Sequence, residues 1–462
     1  MYERYHIPLK TVEGRAPKVP KFVITRSDNC MNCGRCERAC IYGVHKRSEA
    51  DLREMADPLN HLCKNCFRCI AECPQRALMM SHGAEYMSLG RGIWTPLRIS
   101  TIWGEAETGK IPVLGAGYRG MFAGAYYDSM WTDMSEIVRP TRDGIHGRES
   151  ISTNVDIGRI PLSLQFDSSG EQLIEMPPLM EVPIPMVMDL SAIKNASEEF
   201  VRGCVLAAVH LETLVIAPHG SVPDELVGQL GPRYVPVCHD HGSFDEVQIP
   251  NATMLVEVEE TPVWRETLSA FSERYPDKIL SFRIRARPGM EGEVVDMLKE
   301  GVASVHIVYD GQGMEHGEEG LRHARDSLRS VHSALVAEGS RDEITIFTSG
   351  GIAAAEHVPK SIVCGADIVA LNRALLVALE CRNCMTCSPG SCPAGIESAS
   401  ADWVEGRITN MVGAWRDQML EMLGAMGLRE VRRLRGEVGR AIFFEDVERD
   451  FRALLTGGDG SG

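Results

Sequence analysis

From about residue 183 onward, short β-branched apolar runs alternate with amphipathic or Ala-rich stretches, the pattern of repeated βα units. Eight runs read as strands: IPMVMD (184–189), TLVIA (213–217), RYVPV (233–237), TMLVEV (253–258), ILSFRIR (279–285), SVHIVY (304–309), ITIFTS (344–349) and DIVAL (367–371). Pro236 interrupts the third, and little helix separates it from the fourth. Helical spacing predicts helices over 192–209, 262–274, 289–300, 318–338 and 353–363. In the last, Glu356 and Lys360 form an i,i+4 pair expected on an exposed face. Eight strand–helix units close most simply into an α/β fold of the (β/α)8 barrel type, with a doubly wound open sheet as the alternative. Past residue 401 apolar positions recur at helical spacing, as in 411–427, and predict a helical tail packed on the barrel or on a partner.

The segment 81–165 is less regular. It holds Trp94, Trp103, Trp131 and a polar run (139–149) whose Arg139, Arg142, Asp143 and Arg148 read as a buried ion network or an anion contact. Length and composition fit this division. A chain of 462 residues suggests roughly three folding units, and 44% hydrophobic with 24% charged residues is globular composition. A net charge of −16 argues against a nucleic-acid or anionic-membrane surface. No apolar run reaches the ~18 residues that span a bilayer, and MYERYHIPLK lacks a signal peptide's apolar core, so the expected location is cytoplasmic.

The cysteines change the picture. Of 15, eight lie between residues 30 and 73 and four between 381 and 392. The first group reads Cys30-x2-Cys33-x2-Cys36-x3-Cys40 and the second Cys63-x2-Cys66-x2-Cys69-x3-Cys73-Pro74. Each is the run of two-cluster ferredoxins, in which three close thiolates wrap one cubane and the fourth reaches the other. Cys30, Cys33, Cys36 and Cys73 are therefore expected on one [4Fe–4S] cluster, and Cys63, Cys66, Cys69 and Cys40 on a second. Paired zinc sites are the alternative, but zinc motifs separate their C-x2-C units by a longer loop.

Cys381, Cys384, Cys387 and Cys392 form a third group. Three of them suffice for a [3Fe–4S] cluster, while Cys384 as a fourth ligand would complete a [4Fe–4S] cluster; zinc is again the alternative. Cys204, Cys238 and Cys364 sit singly among apolar residues and read as core thiols. The expected domains are thus a ferredoxin-like 2×[4Fe–4S] module (1–80), a connecting segment (81–165), a barrel with its iron–sulfur motif (166–400) and a helical tail (401–462).

Barrels of this kind often bind phosphate with the loops after strands seven and eight. Those loops are Ser349-Gly350-Gly351 and Asn372-Arg373. Paired glycines let backbone N–H groups approach a phosphate, the following helix would turn its positive end toward it, and Arg373 adds charge. A plain strand-to-helix turn is the alternative. FMN suits such a site beside Fe–S cysteines, because a flavin turns single electrons into a hydride-equivalent pair. Gly115-x-Gly117-x-x-Gly120 matches a dinucleotide fingerprint, but no amphipathic helix or βαβ unit follows it.

With these motifs in place, the chain resembles the flavin-binding synthase domain of glutamate synthases, in the short, ferredoxin-containing archaeal form. The likeness is clearest over 343–396, where Cys381, Cys387 and Cys392 fall on the family's three [3Fe–4S] ligands and Cys384 is extra. SFRIRA (281–286) is similar to the segment whose lysine lies beside the flavin, and Arg283 holds that place. DGQG (310–313) echoes a Gly-rich segment after strand six. The resemblance implies Arg283 as a catalytic and cofactor-binding residue and Gly350, Gly351, Asn372 and Arg373 at FMN. It also implies a reaction in which electrons pass from the Fe–S clusters to FMN and reduce 2-iminoglutarate, from 2-oxoglutarate and ammonia, to glutamate.

The implied partners are a redox donor (a ferredoxin or an NAD(P)H-oxidising subunit) and a separate glutaminase subunit, since residue 2 is Tyr rather than a cysteine nucleophile. The sequence departs from the family at two loops. Its Met-Ser-Phe-Gly turn reads Met186-Val187-Met188-Asp189, and its glutamate-binding loop reads Ala217-Pro218-His219-Gly220. The alternative function is accordingly a non-catalytic electron-transfer subunit with a degenerate barrel.

Overall fold

The computed structural model describes residues 5–111, 124–132, 150–161, 163, 166–170, 176–194, 196–238, 249–385, 387, 390, 392–436 and 441–455. The glycine fingerprint 115–120 and the run 139–149 lie outside these residues.

In the N-terminal module β1 (Phe22–Arg26) pairs antiparallel with β2 (Leu78–His82), with Ile24 opposite Met80 and Phe22 opposite His82. Two short helices, Arg35–Ala39 and Arg68–Ala71, lie between them. Both cysteine runs turn left-handed at the same two places, Asn32 and Gly34 in the first and Asn65 and Phe67 in the second. These turns fold three successive thiols of each run around one point. Ile24, Val44, Cys69 and Leu78 form the small core.

The chain then crosses to the larger body through the helices Ala84–Met87 and Pro96–Thr108, the second started by a Thr95 side-chain cap and Pro96 at its first turn. Strand β3 (Met130–Thr132) follows, then the antiparallel pair β4 (Val155–Gly158) and β5 (Leu179–Val182). This pair covers the N-terminal end of the barrel, where Gly158 N donates to Thr345 Oγ1 at 3.0 Å.

The barrel strands are β6 (Met186–Asp189), β7 (Val215–Pro218), β8 (Tyr234–Cys238), β9 (Leu255–Glu259), β10 (Ile279–Arg285), β11 (Ser304–Val308), β12 (Thr345–Ser349) and β13 (Ile368–Leu371). They run parallel in chain order, and β13 closes on β6. The (β/α)8 expectation is borne out, including the two weaker strands: Pro236 sits inside β8, opposite Ala217 of β7. Strands covered on both faces explain the near-continuous apolar runs. Strand β14 (Ala441–Phe443) returns to pair with β3.

The tail helix Ala401–Ala425 packs against the helices Glu198–His210 and Pro96–Thr108. There Trp415 Nε1 donates to Glu105 Oε2 at 2.8 Å, and the buried Arg407 donates to Ala378 O at 2.6 Å. Cys204, Cys238 and Cys364 are all buried, as core thiols should be. Among the described residues no helix is long and apolar enough to cross a membrane.

Several local expectations need correction. The helix expected over 318–338 begins at Ala324, where the His323 side chain accepts from Arg325 N. The helix after β6 begins at Glu198 rather than 192, because Ser197 caps it through its Oγ and the preceding residues form a loop. Lys360 is not on an exposed face. The turn Tyr126–Ser129 covers the helix His357–Val363, whose residues are all buried, and Lys360 Nζ donates to Tyr127 O at 2.7 Å while lying 3.4 Å from Glu356.

Candidate functional site

A cavity of about 570 Å³ opens at the C-terminal ends of the barrel strands. One side is formed by the loops after β11, β12 and β13, with Gly311, Gly350, Asn372 and Arg373 on its wall. Its lining also includes all four thiols of the third cysteine group, Cys381, Cys384, Cys387 and Cys392. The loop after β6 adds Lys194, a cation that the sequence reading did not select. Its signal was faint: one lysine in a loop carries no spacing.

The glycine pair is dictated by backbone contact. A Cβ on Gly350 would lie 2.4 Å from Tyr309 O, and one on Gly351 would lie 2.4 Å from Gly313 Cα. Both have positive φ (96° and 71°). The pair thus lets the β12 loop press against the loop after β11, and of the two only Gly350 lines the cavity. The expected helix end is not behind it, for that helix starts at His357, six residues on. Asn372 Oδ1 accepts from Arg373 N at 2.5 Å, capping the short helix Arg373–Ala378.

Arg373 leans toward the cysteines. Its Nη1 donates to Asn383 Oδ1 at 3.0 Å, and Asn383 N donates to Cys381 Sγ at 3.4 Å. Burial, then the neighbouring thiols, push the Cys381 thiol up to about 11. Such a packed set of thiols suits a metal cluster, which holds them as thiolates.

Arg283 lies elsewhere. It is buried inside the barrel, and the structure does not bring it to the cavity wall with Gly350, Asn372 and Arg373. Its Nη2 donates to Asp189 Oδ2 at 2.7 Å and its Nη1 to Glu257 Oε2 at 2.8 Å. His306 continues the chain, with Nδ1 2.8 Å from Glu257 Oε1 and Nε2 2.9 Å from Ser349 Oγ. Burial alone would raise both carboxyls, but Arg283 and His306 outweigh it and hold Asp189 and Glu257 below the usual carboxylate range. The sequence reading missed Asp189, Glu257 and His306 as members of this network. The available signal was a period-two polar stripe on adjacent strands: Glu257 and Glu259, then Ser281 and Arg283, then Ser304 and His306.

In the N-terminal module the cysteines surround two voids. Cys30, Cys33, Cys36 and Cys73 line one, and Cys40, Cys63, Cys66 and Cys69 the other. The crossover Cys40 stands beside Cys69, whose thiol is pushed up to about 11 by burial first and by Cys40, Cys63 and Cys66 next. The segment just after the module is fastened to the third cysteine group and to the loop after β11. Glu85 pairs with Arg382 at 2.7 Å, Gly90 N donates to Arg382 O at 3.0 Å, and Trp94 Nε1 donates to Gly311 O at 2.8 Å.

A closed parallel barrel carries, at its strand ends, a cavity lined by one of three thiol groups, each packed as a metal cluster requires. Comparison narrows the class. Residues 324–429 match the family model described as the conserved region in glutamate synthase. The archaeal glutamate synthase (NADPH) of Archaeoglobus fulgidus is 26% identical over 96% of this chain and 98% of its own. The archaeal-type glutamate synthase (NADPH) of Dehalococcoides mccartyi is 26% identical over 90% of this chain and 94% of its own. Among solved structures, the flavin-binding domain of baker's yeast flavocytochrome b2 aligns with a TM-score of 0.41 at 13% identity, covering 82% of this chain and 84% of that one. The resemblance to the glutamate synthase family is borne out: the conserved region matches, and nearly the whole chain aligns with archaeal-type relatives that carry that name.

Proposed function

We propose that this chain is an iron–sulfur flavoprotein that delivers electrons from its N-terminal clusters, through the 381–392 motif, to FMN in the barrel cavity, for reduction of 2-iminoglutarate to glutamate. The observation that carries the reading is the shared cavity, lined both by four thiols and by Gly350, Asn372 and Arg373. A bound flavin would supply the exchange between single electrons and a hydride equivalent. Arg373 would hold its phosphate while its bond to Asn383 keeps the cysteine loop against the same wall. Cys381, Cys387 and Cys392 would hold the third cluster, with Cys384 within reach as a further ligand. Glutamine-derived ammonia and the primary reductant would come from partner subunits.

Anaerobically purified protein tests this. We expect FMN on acid release, eleven or twelve irons per chain by the ligand counts above, and glutamate formed from 2-oxoglutarate and ammonium with reduced methyl viologen as donor. Absence of flavin with iron and sulfide retained favours the second reading, an electron-transfer subunit with a degenerate barrel. That reading has its own support in Asp189, which stands where the family has glycine and is tied to Arg283 inside the barrel.

A further inference from the structure

We propose that Asn383 tunes the third cysteine group, its side-chain N–H donating to a sulfur of the cluster held there and raising that cluster's reduction potential. The inference rests on the iron–sulfur reading above and names the residue that regulates the one cysteine group on the barrel cavity.

All three cysteine groups share a local plan. Asparagine stands one residue before the second thiol in Cys30-Met31-Asn32-Cys33, in Cys63-Lys64-Asn65-Cys66 and in Cys381-Arg382-Asn383-Cys384. Its φ is positive each time, at 51°, 60° and 50°, and the residue after that thiol (Gly34, Phe67 or Met385) is left-handed as well. Asn tolerates left-handed backbone, which accounts for its presence in all three turns. Its surroundings differ in the third. Asn32 and Asn65 are half-buried, whereas Asn383 is 3% exposed.

Arg373 orients the Asn383 amide. A guanidinium only donates, so the atom 3.0 Å from Arg373 Nη1 is the carbonyl Oδ1, and Nδ2 is turned away. Nδ2 is buried and meets no acceptor among the described residues. An unmade buried hydrogen bond is costly, and native interiors keep few of them. A bound cluster supplies the acceptor. Asn383 lies between Cys381 and Cys384, and its backbone N already donates to Cys381 Sγ at 3.4 Å. Thiolate and sulfide sulfurs carry negative charge, and they gain more when the cluster takes up an electron. A hydrogen bond to them is therefore stronger in the reduced state, which raises the potential. Phosphate binding at Arg373 is compatible with this, because Nη1 serves Asn383 and Nη2 has no hydrogen-bond partner among the described residues.

Redox titration of the anaerobic holoprotein, followed by electron paramagnetic resonance, reads the potential. The signal that Cys387→Ser abolishes identifies the third cluster. Asn383→Gly keeps the left-handed turn and removes the donor without adding charge. Asn383→Asp keeps the shape and the bond to Arg373 but replaces the N–H by an acceptor. In both variants the third cluster should be about tenfold less reduced at the native midpoint, a fall of about 59 mV for a one-electron couple. Asn65→Gly, the same exchange in the N-terminal module, should leave that ratio within about twofold. Iron content equal to that of the native protein shows that the cluster is tuned rather than damaged. Loss of the third cluster from both Asn383 variants makes the residue structural and overturns the tuning role. A third-cluster midpoint that stays in place in either variant, or a flavin midpoint that moves instead, overturns it too and leaves the iron–sulfur reading intact. A protein with its other clusters present but no signal dependent on Cys387 overturns that reading at this group, and the role of Asn383 with it.

Discussion

Arg283→Met removes the guanidinium that bridges Asp189 and Glu257 inside the barrel and leaves both carboxyls with 0% exposure, Glu257 keeping only His306. Removing one partner of a buried ion pair typically costs about 3–5 kcal/mol, because the remaining charge keeps its desolvation penalty. Here two carboxylates lose a partner at 2.7 and 2.8 Å, while Ser191 and His306 still hold them, so about 3–4 kcal/mol applies. That is a large share of the roughly 5–15 kcal/mol that holds a typical domain together.

The loss has a definite pH dependence. In the native protein both carboxyls lie below their ordinary values of 3.8 and 4.5, so their stabilising contribution is full above those values and is lost as pH falls through the folded ones. Without Arg283, burial should raise them and protonation relieves the strain, so the gap between variant and native protein narrows from pH 8 toward pH 5. Urea unfolding followed by circular dichroism, with flavin content measured on the folded protein, reads both effects. A destabilisation under about 1 kcal/mol, or one indifferent to pH, refutes the interior-network account. Lost flavin at an unchanged urea midpoint would return Arg283 to the cofactor role that the family resemblance implies. Arg283→Lys should fall between the two, since an ammonium keeps the charge but cannot span both carboxylates as a fork does.

Arg373→Ala should release FMN while leaving the iron content intact, measured by acid extraction and iron assay; full flavin retention would move the phosphate elsewhere. Cys33→Ser and Cys66→Ser should each cost one four-iron cluster, roughly four irons per chain, because a hydroxyl is a poorer iron ligand than a thiolate. Burial pushes the Glu105 carboxyl up to about 7 against the donors Trp415 and Gln418, so native stability declines as pH rises from 4.5 toward 7. Glu105→Gln should therefore raise the urea midpoint at pH 8 and lose that advantage by about pH 5. For Cys384→Ser, unchanged iron and an unchanged paramagnetic three-iron signal make Cys384 a bystander, while a three-iron signal appearing only in the variant makes it the fourth ligand.

The features that sequence displayed well are those whose cause is local. Each barrel strand is buried on both faces, so its apolar run announces it, and the ferredoxin spacing is legible because three ligands of each group sit within seven residues. Pro236 blurred β8 because a missing donor argues against a central strand, yet the residues around it are buried on every side and hold it in the barrel. The hidden features have distant causes. Lys360 reads as a surface partner of Glu356 until the turn 126–129, more than two hundred residues upstream, covers it. IAAAEHV after Gly351 reads as helix, but the chain turns first, and Ala353 N donates to His357 Nδ1 at 3.3 Å. The interior network needs strand register: Glu257, Arg283 and His306 meet only because Arg283 of β10 stands opposite His306 of β11 and next to the β9 acids.

The same register bears on how the site would work. The family's glycine after the first barrel strand leaves room above the barrel, whereas Asp189 brings a carboxylate that turns inward and engages Arg283. The positive charge of Arg283 is thereby taken up by carboxylates of the barrel interior. What remains on the cavity wall is positive at Lys194, Arg373 and Arg382 and negative at Asp310 and Glu397, with the thiols between. In such an arrangement the phosphate of the proposed flavin would be held from the Arg373 side, and a dicarboxylate substrate would find its cation at Lys194 rather than at Arg283. Glutamate formation that survives Arg283→Lys but fails in Lys194→Ala, with flavin retained in both, is the outcome this charge distribution requires.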